Sequence, residues 1–177
     1  MRLEQATHIL ESNRAKMRMS EFTEEIPIQI AAGINRLCDG EYTSYYSIYP
    51  VGAEVPYDEF PYSHEWIQAT GIAPDRLTVE IKQRDANGVH RLYTIGRPGG
   101  EGDSAETEPI QNGDNTYLVR PSEVLTVTDA ITLFQDYYDT HSVPAGCRLR
   151  EQPEFSDTTV AERYGEGEQR PPGARAP

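Results

Sequence analysis

Positive charge is scarce in this chain. Sixteen lysines and arginines stand against 29 aspartates and glutamates, a formal net charge of −13 over 177 residues. A surface of that sign repels phosphate backbones and anionic lipid, so neither nucleic acid nor membrane is expected as a partner. Long apolar runs are also lacking. No stretch approaches the roughly 18 residues of a spanning helix, and Met1 to Gln5 is polar. The expectation is a soluble, cytoplasmic protein. Cysteine occurs only at Cys38 and Cys147, too far apart for a metal or redox motif. The reading favoured is two reduced, largely buried thiols, with a disulfide as the alternative.

Motifs for chemistry are equally sparse. His64-Glu65 is the sole adjacent His–carboxylate pair, but a zinc helix needs a second histidine four residues on, and Gln68 stands there. Adjacency of Ser63, His64 and Glu65 says nothing about a triad, which is a spatial arrangement. Gly96 to Asp103 is glycine-rich, yet Pro98 removes a donor, and Glu101 and Asp103 repel anions. The acids of residues 101 to 115 show no EF-hand spacing. No catalytic, cofactor-binding or metal-binding residue is therefore expected, and no cofactor.

What is present is a pattern of alternation. Leu77, Val79 and Ile81 alternate with Thr78, Glu80 and Lys82, the period of a half-buried strand. Asn87-Gly88 then leads into Val89 to Ile95, a strong hairpin signal. A two-residue loop would send Tyr93 and Ile95 to the polar face. A three-residue loop, Ala86 to Gly88, sets Ile81 opposite Tyr93 and Val79 opposite Ile95, with Gly88 left-handed. Glu101 to Asn115 holds five acids and no Lys or Arg, and reads as a loop. Thr116 to Val119 reads as a strand. Thr126 with Asp129 resembles a capping box opening a helix whose apolar face carries Val127, Ala130, Ile131, Phe134, Tyr137 and Tyr138. Cys147 to Arg150 makes a short last strand.

Upstream, Leu3, Ala6, Leu10 and Met17 share a helical face, so Leu3 to Met19 is expected as an amphipathic helix, packed on the sheet or offered to a partner. Pro27 to Leu37 is expected as a second helix, with Gly40 as its stop. Tyr42, Tyr45, Tyr46 and Tyr49 crowd around Ser47-Ile48, as an edge strand with rings over the core rim or as a contact surface. Val51 to Tyr62 is a loop. Ser63 to Ala69 is expected as a short helix capped by Ser63 and anchored by Trp66.

The length suits one domain of roughly 150 residues and a tail. The fold class expected is α+β: an antiparallel sheet of about four to six strands packed by two to four helices, over residues 1–155. Residues 156–177, rich in Gly, Glu, Arg and Pro, are expected as a disordered or marginally ordered tail.

Three pieces carry a family resemblance: Leu92 to Gly100, then Val124-Leu125 leading into Ala130 to Tyr138, then Val143-Pro144. Residues 77 to 150 resemble the C-terminal part of bacterial polymorphic-toxin immunity proteins, the actinobacterial families often encoded beside deaminase-type toxins. Many of those carry a Trp on the last strand, where this chain has Cys147 to Arg150. The resemblance implies an α+β domain that binds one cognate toxin domain tightly, as a monomer in a 1:1 complex, and blocks its active site without a reaction of its own. Acidic loops complement a basic active-site cleft, and aromatic anchors supply affinity. The expected partner-binding residues are Tyr45, Tyr46, Tyr57, Asp58, Glu59, Glu101, Asp103, Glu106 and Glu108. A chaperone or adaptor for a secreted protein shares the acidity and the early helix. An enzyme with a spatially assembled site, starting from His64 and Glu65, is the third possibility.

Overall fold

A computed structural model describes residues 7–22, 24–38, 43–99, 105–112 and 114–158. Seven strands form one antiparallel sheet: β1 (His8–Ser12), β2 (Lys16–Arg18), β3 (Tyr45–Pro50), β4 (Trp66–Ile72), β5 (Arg76–Arg84), β6 (His90–Gly96) and, after a separate hairpin, β9 (Arg148–Glu151). Their order is β2-β1-β3-β4-β5-β6-β9. The hairpin is β7 (Glu108–Asn112) with β8 (Asn115–Val119). Two helices complete the α+β fold, α1 (Ile26–Asn35) and α2 (Val127–Thr140).

The central hairpin follows from parity. Ile81 pairs with Tyr93 and Glu80 with Thr94, the amide of Asp85 donates to the Val89 carbonyl at 2.8 Å, and Gly88 takes φ +80°. One face of the sheet is thereby largely apolar. Tyr46, Ile48, Ile67, Ala69, Val79, Ile81 and Ile95 are buried there beneath Ile26, Ile30 and Ile34 of α1 and Ala130, Phe134 and Tyr137 of α2. The α2 start is the expected box: Thr126 Oγ1 accepts from the Asp129 amide at 3.2 Å, and Asp129 Oδ2 accepts from the Thr126 amide at 2.9 Å. Gly33 lets α1 lie flush on the sheet, because a Cβ there would sit 2.0 Å from the Tyr46 ring.

Several expectations are overturned. The described part of Leu3 to Met19 is the β1–β2 hairpin, not a helix. Ser12 Oγ accepts from the Arg14 and Ala15 amides at 3.2 and 3.1 Å, and the Ser12 amide donates to the Ala15 carbonyl at 2.8 Å, so the chain reverses there and Leu10 pairs with Met17. Residues 66–69 belong to β4, not to a helix. Ser63 Oγ accepts from the Glu65 amide at 3.2 Å and donates to the Glu65 carbonyl at 2.7 Å, a self-contained turn. The chain then runs out extended, Ile67 pairing with Ile81 and Ala69 with Val79. These two segments bring the main sheet to seven strands, one beyond the expected range. The tyrosine-bearing β3 is interior, paired with both β1 and β4, rather than an edge. Within the expected acidic loop, residues 108–112 form β7, with Ile110 buried opposite Tyr117. Cys38 and Cys147 are free thiols as expected, but each is half-buried rather than largely buried. The packed chain continues past residue 155, since the Ser156 hydroxyl accepts from the Leu92 amide at 2.9 Å and the Asp157 amide donates to the His90 carbonyl at 2.9 Å. The rest of the expected tail, residues 159–177, lies outside the described residues.

Two buried polar groups yield predictions. Tyr46 is 2% exposed and its hydroxyl has no hydrogen-bond partner. Tyr46→Phe should therefore raise unfolding free energy by about 1–2 kcal/mol in urea titration, by removing an unpaired polar atom. His8 is 2% exposed, stacks on Tyr138 at 4.2 Å, and lies with Nε2 3.0 Å from His141 Nε2. Burial, with the charge of His141 second, lowers its pKa from 6.5 to about 4. The folded state thus binds fewer protons here than the unfolded chain. Stability should be held above pH 6.5 and lost as pH falls toward 4, by up to about 3 kcal/mol. His8→Gln should flatten that acid limb of the stability–pH curve.

Candidate partner-binding surface and the polar cavity

The second face of the sheet is polar and needs a cover. At the β1–β3 end the cover is the loop of residues 51–65, and one buried cation organises it. Arg18, 8% exposed, donates from Nε to the Tyr57 carbonyl at 3.0 Å. Its Nη2 donates to the carbonyls of Val55 at 3.3 Å, Pro56 at 2.6 Å and Glu59 at 3.1 Å. Charge-assisted bonds of this kind are the stronger class. The guanidinium also lies 5.5 Å from the Tyr57 ring centroid. Two turns tighten the loop further, Val55 amide to Gly52 carbonyl at 3.1 Å and Glu59 amide to Pro56 carbonyl at 3.0 Å.

The backbone turns inward to Arg18, so the side chains turn out. Tyr57 and Tyr62 are 70% and 75% exposed, and Phe60 also reaches solvent. Glu54, Asp58 and Glu59 are exposed among them. Large exposed aromatics on a pinned backbone are the raw material of a binding surface, since little conformational freedom remains to be lost on association.

Three of the expected partner-binding residues, Tyr57, Asp58 and Glu59, stand together on this loop. Tyr45 is half-buried on the polar face. Its hydroxyl donates to Glu11 at 3.3 Å, as does that of Tyr49, while Lys16 binds the same carboxylate at 2.9 Å. Tyr46 is a correction: it lies in the core against Phe134 at 5.5 Å and cannot meet a partner. Tyr46 shares the parity of Ile48, the signal that places it inside. Glu106 is exposed, and Glu108 pairs with Arg76 at 3.1 Å. Glu101, Asp103 and Tyr42 lie outside the described residues.

Farther along the same face, the β7–β8 hairpin roofs a cavity of about 690 Å³. Its floor is Trp66, Thr78, Glu80, Lys82 and Thr94. Tyr117 and Leu118 form the roof, and Arg150, Gln152 and Phe155 line one end. Tyr62 of the exposed loop and Thr107, beside Glu106 and Glu108, both border it. The cavity therefore joins two of the regions expected to bind. Arg150 holds the far wall. It grips buried Glu123 through two bonds of 2.7 Å and donates to the Leu118 carbonyl at 3.1 Å. Glu123 also accepts from the Arg120 amide at 2.8 Å.

Glu80 and Thr78 stand on the polar alternation of β5, and the β7–β8 hairpin covers them. Thr78 is 1% exposed with an unpartnered hydroxyl. Removal from water pushes the Glu80 carboxyl up to about 7, with Arg150 pulling the other way. Such a group suits a hydrogen-bond donor or a cationic side chain. A separate cluster, His64, His90 and Asp157, gathers two imidazoles and a carboxylate with donor atoms within 4.8 Å of one another.

Comparison with known proteins yields no matching family model, no matching curated protein and no matching solved structure. Among the described residues, no helix is long and apolar enough to cross a membrane.

The Glu80 carboxyl supplies a test. Its folded pKa is above the unfolded value of 4.5, so its contribution is present below pH 4.5 and fades as pH rises through about 7. Glu80→Gln should be more stable than wild type at pH 8, by up to about 3 kcal/mol, and not at pH 4. Equal stability differences at both pH values in denaturant titration would refute the buried-acid assignment.

Proposed function

We propose that this protein is an immunity protein. It binds a cognate bacterial toxin domain with a basic active-site cleft and blocks that site, forming a 1:1 complex from a monomer in the cytoplasm, with no catalysis of its own. The observation that carries the reading is the loop fastened by Arg18, which presents Tyr57, Phe60 and Tyr62 among Glu54, Asp58 and Glu59. The net charge of −13 supports it, because a basic cleft is drawn to such a surface over the range of a Debye length. The resemblance of residues 77 to 150 to toxin-immunity families points the same way. Tyr57 and Tyr62 act as anchors, and the acids set encounter rate and partner choice.

The test is inhibition. The protein is co-expressed with the toxin domain encoded beside its gene, and toxin activity is titrated against it. Stoichiometric inhibition is expected. Tyr57→Ala should weaken binding by at least about 30-fold, the range of an anchor residue. Asp58→Lys with Glu59→Lys should chiefly slow association and weaken its salt dependence. Tight binding that leaves the toxin active would instead make the protein a chaperone. No binding would end the proposal.

A further inference from the structure

We infer that His64, His90 and Asp157 form a binding site for one transition-metal ion of the zinc class. Three distant parts of the chain meet here: the end of the exposed loop, the start of β6 and the segment after β9. No motif spacing links them, so the site is invisible in the sequence.

The backbone of two of the three donors is already fixed. His90 opens β6, a strand paired on both sides. Asp157 is held to it by backbone: its amide donates to the His90 carbonyl at 2.9 Å, and its carbonyl accepts from Arg91 at 3.2 Å. The carboxylate is oriented as well. Oδ1 accepts from Lys82 at 3.2 Å, while Oδ2 lies 3.8 Å from His90 Nδ1. One oxygen is thus tethered and the other is turned toward the imidazole. A carboxylate ligand held by an outer hydrogen bond is the usual support of a metal site.

His64 supplies the third donor from an exposed position. Its ring stacks on His90 with centroids 5.3 Å apart and meets the edge of Tyr62 at 5.2 Å. Ligation at about 2.0–2.2 Å from the ion draws donors closer than the present spread. An exposed side chain closes that gap by rotation, without moving β6 or the Asp157 backbone. Two neutral imidazoles and one carboxylate select zinc, cobalt, nickel or copper over calcium and magnesium, which prefer all-oxygen sets. Three protein ligands leave a coordination position for water.

The site is tested on the full, untagged chain with Zn²⁺ by calorimetry and with Co²⁺ by visible absorption. One ion per chain is expected, with Mg²⁺ giving no signal. His64→Ala, a surface change that leaves the fold intact, should weaken Zn²⁺ binding by at least about tenfold, and Asp157→Asn likewise. His141→Ala removes half of the other histidine pair and should change nothing. Absence of Zn²⁺ heat, undiminished binding in both His64→Ala and Asp157→Asn, or loss of binding only in His141→Ala would each overturn the assignment. These outcomes are independent of toxin binding, so either idea can fail alone.

Discussion

A sheet has two faces, and here only one is apolar. That constraint organises the molecule. The apolar face is settled by α1 and α2, whose Ile, Ala, Phe and Tyr side chains close a core with the alternate residues of β3 to β6. The other face carries Trp66, Thr78, Glu80, Lys82 and Thr94, which no helix can cover by burying hydrocarbon alone. Two arginines solve the problem from opposite ends. Arg18 draws four loop carbonyls over one side, and Arg150 ties β9 to Glu123 and to β8 on the other. Each charge is sheltered, and each is satisfied by a hydrogen-bonded set rather than left bare. The segments they hold carry the exposed rings and frame the cavity. The exposed rings and the cavity are therefore held in place by the same bonds that finish the fold.

Legibility in the sequence followed the range of the signal. The β5–β6 register was readable because alternation and Asn87-Gly88 are local and agree with each other. The start of α2 was readable because both halves of its capping box lie within four residues. The β1–β2 hairpin and β4 were misread because local cues pointed to helix: apolar spacing in one, a serine with a following glutamate in the other. Pairing of β1 with the distant β3, and of β4 with β3 on one side and β5 on the other, overruled both. Propensity is a weak prior when a neighbouring strand offers a full ladder.

The surface followed the same rule. Tyr57, Asp58 and Glu59 stood out by composition, and they are exposed together. What makes them a surface was not legible, because Arg18 lies about forty positions upstream and no pattern joins the two. Glu80 showed the opposite failure. Its parity correctly set it on the polar face, but β7 and β8 were needed to show that this face is roofed. Polar is not the same as wet, and only tertiary structure separates them. The Glu80 carboxyl, pushed up to about 7 by withdrawal from water, is the chemical result.

The order of the strands carries one more implication. Among the described residues the sheet ends at β2 and β9, of three and four residues. Lys16 and Arg18 mark one border, and Arg148, Arg150 and Glu151 the other. Short, charged margins of this kind discourage a foreign backbone from adding itself as a further rung, the route by which many sheets recruit peptides or polymerise. The borders of the main sheet thus favour contact through side chains over strand addition.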